Sequence, residues 1–177
     1  MEEKTISDRQ IFSGKILKLH VQEVELPNGD ATTREIVRHP GAAAVVAVAA
    51  AGRIVMVRQF RKPVERVLLE IPAGKLDPGE PPEQCMRREL AEETGYVAGR
   101  LEPLVSYTPS PGFCDEVLHV FLATDLRPGR ANPDKDEFIE VQLMPLDELM
   151  HMVDTGGITD GKTVTALLAY DRLTRRG

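Results

Sequence analysis

Apolar and polar positions partly alternate along residues 15–26, KILKLHVQEVEL, which places Leu17, Leu19 and Val21 on one face of a strand. Val24 and Leu26 resume the alternation one residue out of phase, so a β-bulge is expected near Gln22 and Glu23. Pro27-Asn28-Gly29-Asp30 then gives a strong hairpin signal, and ATTREIVR returns as a second strand. His39-Pro40-Gly41 separates this hairpin from the next strand. A sheet of two or three strands is marginal alone. Residues 1–41 are therefore expected to form a small antiparallel unit that packs on something, a partner subunit being one candidate.

From Ala42 the pattern changes. AAAVVAVAA is a nearly continuous apolar run, suited to a strand buried on both faces. Ala51-Gly52 makes a turn, RIVMVRQF returns as the hairpin partner, and VLLEIPAG reads as a further strand. Later strands fall near LEPLVSY, VLHVFLAT and EFIEVQLMP, separated by the loops TPSPGFCDE and RPGRANPDKDE. Leu146, Leu149, Met150 and Val153 have helical spacing, as do Val164, Leu167, Leu168 and Leu173 in a segment starting near Asp160. Strands, a helix, more strands and closing helices describe an α/β domain over 42–177, a mixed sheet with helices on its faces.

The stretch between VLLEIPA and Val97, GKLDPGEPPEQCMRRELAEETGY, carries the densest chemistry. Pro78 and Gly79 stop the preceding strand. Pro81 and Pro82 suit the first turn of a helix, and Gly95 suits a left-handed C-terminal cap. A helix is expected near residues 81–94. On its wheel Glu89 and Glu93 lie about 40° apart, with Glu92 about 60° to the other side of Glu89. Met86 and Leu90 turn toward a core. Like charges on one face repel. Arg88 can pair with Glu92, but one arginine does not neutralise three acids, whereas a divalent cation would. The ordinary reading of a glutamate-rich helix is a solvated acidic face, and the wheel alone does not decide against it.

The spacing adds what the wheel lacks. Gly74, five residues, Glu80, seven residues, Arg88-Glu89-Leu90, one residue, Glu92-Glu93, one residue and Gly95-Tyr96 resemble the signature of the Nudix hydrolases, G-x5-E-x7-R-E-U-x-E-E-x-G-U, where U is bulky and aliphatic. Every fixed position matches. Tyr96 in the last aliphatic position is the one departure, and it bears on packing more than on chemistry. The resemblance covers most of the chain from about residue 42 and implies the α/β/α sandwich of that family. It also implies that Glu89 and Glu93 bind metal, with Glu92 a ligand to another ion or a bridging partner. In enzymes of that family the carbonyl just before the motif glycine also binds metal, so the resemblance implies the Ala73 carbonyl as a further ligand. Magnesium is the expected ion, manganese the alternative, with more than one ion bound; such ions neutralise pyrophosphate and acidify a water for attack at phosphorus. Arg88 is expected to orient the acids, and Glu80 to be either an outer ligand or a loop-fixing acceptor.

Composition narrows the partners. The formal net charge of −6 over 177 residues argues against non-specific nucleic-acid binding. It also obliges an anionic substrate to find local cations. Arg58, Arg61 and Lys62 close RIVMVRQFRK, and Arg34 and Arg38 are further candidates, because a guanidinium forks onto phosphate. Exposed surface charge is the alternative for each, least so for Arg61, since enzymes resembling this chain carry an arginine at the matching Q-F-R place. No apolar run reaches the roughly 20 residues that span a bilayer. MEEKTISDRQ does not read as a secretory signal, and Cys85 and Cys114 do not suggest a disulfide framework. A cytoplasmic protein without a membrane partner is expected.

The resemblance extends to a subgroup. ADP-ribose pyrophosphatases tend to carry a proline fifteen to sixteen residues beyond the motif, and Pro111 lies sixteen beyond Gly95, within SPGFCDE. With HPGAA, LLEIPAG and the N-terminal hairpin, the chain looks like the bacterial members of that group. The implied reaction is magnesium-dependent hydrolysis of ADP-ribose to AMP and ribose 5-phosphate. Another nucleoside diphosphate-sugar, such as a GDP-hexose, is the alternative, and a non-catalytic nucleotide-binding Nudix module the third reading. In similar enzymes a glutamate outside the motif activates the water. Glu137 is favoured here, Glu140 and Glu116 being the others. Phe60 or Phe113 stacks on adenine or belongs to the core, and the four histidines, none near another at metal-ligand spacing, read as structural or surface residues. A homodimer, with the N-terminal segment shaping the partner's site, is also implied.

Overall fold

The computed structural model describes residues 1–132 and 138–176. The chain divides into two compact units, Met1–Gly41 with Thr108–Val117, and Ala42–Tyr107 with Leu118–Gly177. The first contains three antiparallel strands in the order β1 (Lys4–Ser13), β2 (Lys18–Glu25) and β3 (Ala31–Arg38). β1 is an addition to the hairpin read from the sequence. The expected bulge is absent from β2, which pairs with β3 in unbroken register from Lys18 to Glu25. The polar side chains of His20 and Gln22 share a face with Val24 and are held there by Asp8, which lies 2.7 Å from each. Satisfied polar groups therefore continue the face, and no phase change is needed. The register shifts lie instead between β1 and β2, at Thr5/Ser7 and Gln10/Phe12. The loop after Tyr107 joins this unit through Val37, whose N–H donates to the Phe113 carbonyl at 2.7 Å.

The second unit continues with β4 (Ala42–Ala47), β5 (Arg53–Arg61), β6 (Arg66–Glu70), β7 (Ala73–Lys75), α1 (Pro82–Thr94), β8 (Tyr96–Val97), β9 (Arg100–Tyr107), β10 (Leu118–Thr124), β11 (Arg127–Pro128), β12 (Ile139–Pro145), α2 (Leu146–Asp154) and α3 (Gly161–Thr174). All six residues of β4 are buried, and its alternation explains why. Ala42, Ala44 and Val46 pack with Leu149 of α2 and with Ala166 and Leu167 of α3. Ala43, Val45 and Ala47 pack with Cys85, Met86 and Leu90 of α1. One strand thus serves two helical layers, the condition for an α/β/α sandwich.

The sheet around β4 has the order β7-β4-β10-β9 and is mixed: β10 runs parallel to β4, while β7 and β9 are antiparallel to their neighbours. A second sheet, β12-β5-β6, is wholly antiparallel, and β8 pairs with β11. The segment VLLEIPAG is two strands rather than the expected one. β6 pairs with β5 in one sheet and β7 pairs with β4 in another. Pro72, which has no N–H to donate, sits at the crossing, and its carbonyl accepts from Val45 N–H at 3.0 Å. That switch delivers Ala73 and Gly74 to the face of α1.

Candidate metal and substrate site

The loop leading into α1 is tied by its own acid. Glu80 Oε2 accepts from Asp77 N–H at 3.0 Å, and Glu80 N–H donates to the Asp77 carbonyl at 2.9 Å. Helix α1 then begins at Pro82 with Pro81 extended before it, and ends at Gly95, whose φ of 74° closes the last turn. Arg88 gathers the acids. Its Nε and Nη2 fork onto Glu80 at 3.0 and 2.9 Å, while Nη1 donates to Glu89 at 2.8 Å and to Glu92 at 3.1 Å. Of the two parts expected for Glu80, loop-fixing acceptor is the one these bonds describe. Arg88, and then the Asp77 amide, hold its carboxyl down at about 2.

The inward acids lie against β7. Glu93 is buried, 4% exposed, and its Oε2 accepts from Ala73 N–H at 3.2 Å. Glu89 lies over Gly74 so closely that a Cβ there would sit 1.8 Å from the Glu89 carboxyl carbon. The motif glycine is therefore required for close approach of an acid to the backbone. Cys85 closes the base of this turn by donating to the Lys75 carbonyl at 3.3 Å. Burial, and then the charges of Glu80 and Glu89, push its thiol up to about 12, so it is a neutral packing residue.

The structure brings Ala73, Arg88, Glu89, Glu92 and Glu93 to one place, at the meeting of β7 and α1. Among the described residues no three acids converge on a single point. Magnesium does not need that, because it binds through one or two carboxylates and retains waters for the rest of its octahedron. Carboxylate and carbonyl oxygens are the hard donors it prefers, so the residues present fit such an ion.

Arg61, at the end of β5, is held by a residue that sequence reasoning passed over. Its Nε and Nη2 fork onto the buried carboxylate of Glu70 at 2.8 and 2.7 Å. The signal was a lone acid inside the apolar segment VLLEIPAG, since such a residue is buried only when paired. Arg58 pairs instead with Glu140 across β5 and β12 at 3.3 Å, and both are exposed. Arg34, Pro111 and Phe113 belong to the first unit, where they line a cleft of about 390 Å³ with Glu3. Arg34 forks there onto Glu3 at 3.0 and 2.6 Å. Glu116 lies 3.5 Å from His39, in that same unit. Glu137 lies outside the described residues.

A family model for the NUDIX domain matches residues 37–167. An ADP-ribose pyrophosphatase of Bacillus subtilis (strain 168) is 52% identical over 169 residues, covering 94% of this chain and 91% of its own. A methanol dehydrogenase activator of Bacillus methanolicus is 50% identical over 168 residues, with coverage of 94% and 91%. A GDP-mannose pyrophosphatase of Pectobacterium atrosepticum is 37% identical over 179 residues, with coverage of 94% and 90%. A solved structure described as an ADP compounds hydrolase superposes with a TM-score of 0.87 over 99% of this chain and 95% of its own. At 20% identity that likeness is one of fold.

Proposed function

This chain belongs to the Nudix hydrolase family, and from that premise we propose that it cleaves the pyrophosphate of ADP-ribose to AMP and ribose 5-phosphate with magnesium. The observation that carries the reading is the seating of Glu89 and Glu93 against the Ala73–Gly74 backbone, which gathers two carboxylates at one corner of the fold. Bound there, more than one divalent ion would neutralise the diphosphate and acidify the attacking water. Glu89, Glu93 and the Ala73 carbonyl are the proposed ligands, with Glu92 at the more exposed edge. Arg88 touches the acids rather than the substrate, holding Glu89 and Glu92 in place while Glu80 anchors it.

Arg61 is the proposed cation for the diphosphate, since the field of Glu93 reaches it and 38% of its side chain remains exposed. Water attacks one phosphorus, the bond to the bridging oxygen breaks, and two phosphomonoesters leave. Glu137 is proposed to take the water's proton. Arg34, Arg58, Pro111 and Phe113 are proposed as further substrate contacts, Phe113 as a stacking partner for adenine. A homodimer in the cytoplasm completes the reading. β1 is an edge strand with all ten residues exposed, Ile6, Ile11 and Phe12 among them. No described helix is long and apolar enough to cross a membrane.

The identity to an ADP-ribose pyrophosphatase and the proline loop favour ADP-ribose. A GDP-hexose is the second reading, on the strength of the relative named for GDP-mannose. A panel of nucleoside diphosphate-sugars, read as phosphate released by a coupled phosphatase, separates them. The highest kcat/KM is expected for ADP-ribose; a higher value for GDP-mannose overturns the substrate assignment and leaves the reaction class intact.

A further inference from the structure

Arg61 belongs to an ionic cluster whose other members, Glu70, Lys162 and Asp160, the proposed reaction does not use. Glu70, 1% exposed, ends β6. Besides the Arg61 fork, its Oε2 receives the ammonium of Lys162, from the first turn of α3. Lys162 also donates to Asp160 at 3.0 Å. Asp160 in turn caps α3, accepting from Thr163 N–H at 3.0 Å and from its hydroxyl at 2.6 Å. The Thr163 oxygen accepts from Ile71 N–H at 3.0 Å, two residues before Ala73. Two acids and two bases therefore balance in charge. Burial opposes ionisation of Glu70, but Arg61 and Lys162 outweigh it and lower its carboxyl below the ordinary value.

The fork consumes Nε and Nη2 of Arg61 and leaves Nη1 outside it. A guanidinium fixed along one edge is confined to one plane and one direction, and that pre-organisation reduces the ordering a bound anion must impose. The fork is only as fixed as its carboxylate. With one partner Glu70 has an unsatisfied lone pair in a dry site, which is costly and which a shift toward water would relieve. Lys162 supplies the second partner and is itself anchored by Asp160.

We infer that Lys162 is a positioning residue of the hydrolase, holding Arg61 in register with the acid helix through the buried Glu70 carboxylate. The inference rests on the proposed contact of Arg61 with the diphosphate. Lys162 itself touches neither substrate nor metal. Its effect passes through one arginine and so disappears when that arginine is gone, whereas a residue that merely stabilises the fold would act independently of it.

The test is a double-mutant cycle read as KM for ADP-ribose at saturating magnesium. Arg61→Ala and Lys162→Met are each expected to raise KM about tenfold or more, with kcat within about twofold. The double variant is expected to match Arg61→Ala alone. Effects that multiply in the double variant, or a Lys162→Met that lowers Tm and leaves KM unchanged, overturn the inference. Should Lys162→Met not fold by circular dichroism, Lys162→Gln keeps a polar head for Glu70, and the same cycle decides. Arg61→Ala alone reads the underlying assumption. If it leaves KM unchanged, the substrate role of Arg61 fails and the inference with it; if it raises KM while Lys162→Met does not, only the inference fails.

Discussion

At the scale of single residues the site is defined by how closely acids approach backbone. Replacing Glu93 by Gln keeps its shape but removes a charge the metal would balance. Turnover is expected to fall by about two to three orders of magnitude with the fold intact, measured as kcat alongside circular dichroism; wild-type turnover would contradict the ligand assignment. Gly74→Ala separates site from stability. The added Cβ meets the flexible end of Glu89, which swings away at little energetic cost, and alanine also restricts the unfolded chain. Tm is expected to hold while the magnesium concentration for half-maximal rate rises; a drop in Tm without that rise would count against the reading. Glu80 sets an acid limit. Its carboxyl lies near 2 when folded against an ordinary 4.5, so between those values the unfolded chain binds the proton first. Its contribution is complete above about 4.5 and is lost as the pH falls through about 2. Urea unfolding across that window should show Glu80→Gln destabilised at pH 6 and converging on the wild type near pH 2.

At the scale of elements, legibility followed local chemistry. Helix α1 was readable to within a residue because Pro81, Pro82 and Gly95 mark its ends by backbone geometry alone. Gly95→Ala is expected to cost about 1–2 kcal/mol in urea unfolding, since φ there is 74° and an added Cβ would lie 2.9 Å from the Ala131 amide nitrogen. β4 was equally readable, as an apolar run with no polar face. What failed was local pattern overridden by distant partners. The bulge expected near Gln22 and Glu23 rested on apolar residues changing phase, yet His20 and Gln22 share the face of Val24 and are satisfied by Asp8, twelve and fourteen residues away in sequence. VLLEIPAG looked continuous because periodicity does not reveal which sheet a strand joins. Glu70 was visible as a lone acid, but its partner Lys162 lies ninety-two residues on, beyond any local signal. The grouping of Glu89, Glu92 and Glu93 was legible because helical spacing brings them together. The arginine's support was not, because only the fold does so.

At the scale of the whole molecule, the first unit carries the exposed edge strand β1, with Ile11 at 47% and Phe12 at 56% exposure. Isolated exposed apolar residues are ordinary, but several on one edge strand mark an interface or an aggregation hazard. In a homodimer, Ile11→Asp with Phe12→Asp is expected to weaken association by about thirtyfold or more, read by sedimentation velocity across micromolar concentrations; a wild type already monomeric there would contradict the dimer. Whether the chain is a catalyst or a nucleotide-binding module is decided by turnover. The most direct measurement incubates the purified protein with ADP-ribose and magnesium and follows the products by phosphorus NMR. AMP and ribose 5-phosphate appearing in equal amounts, and stopping on addition of EDTA, is the result predicted; ADP-ribose bound tightly and left uncleaved at saturating magnesium would contradict it.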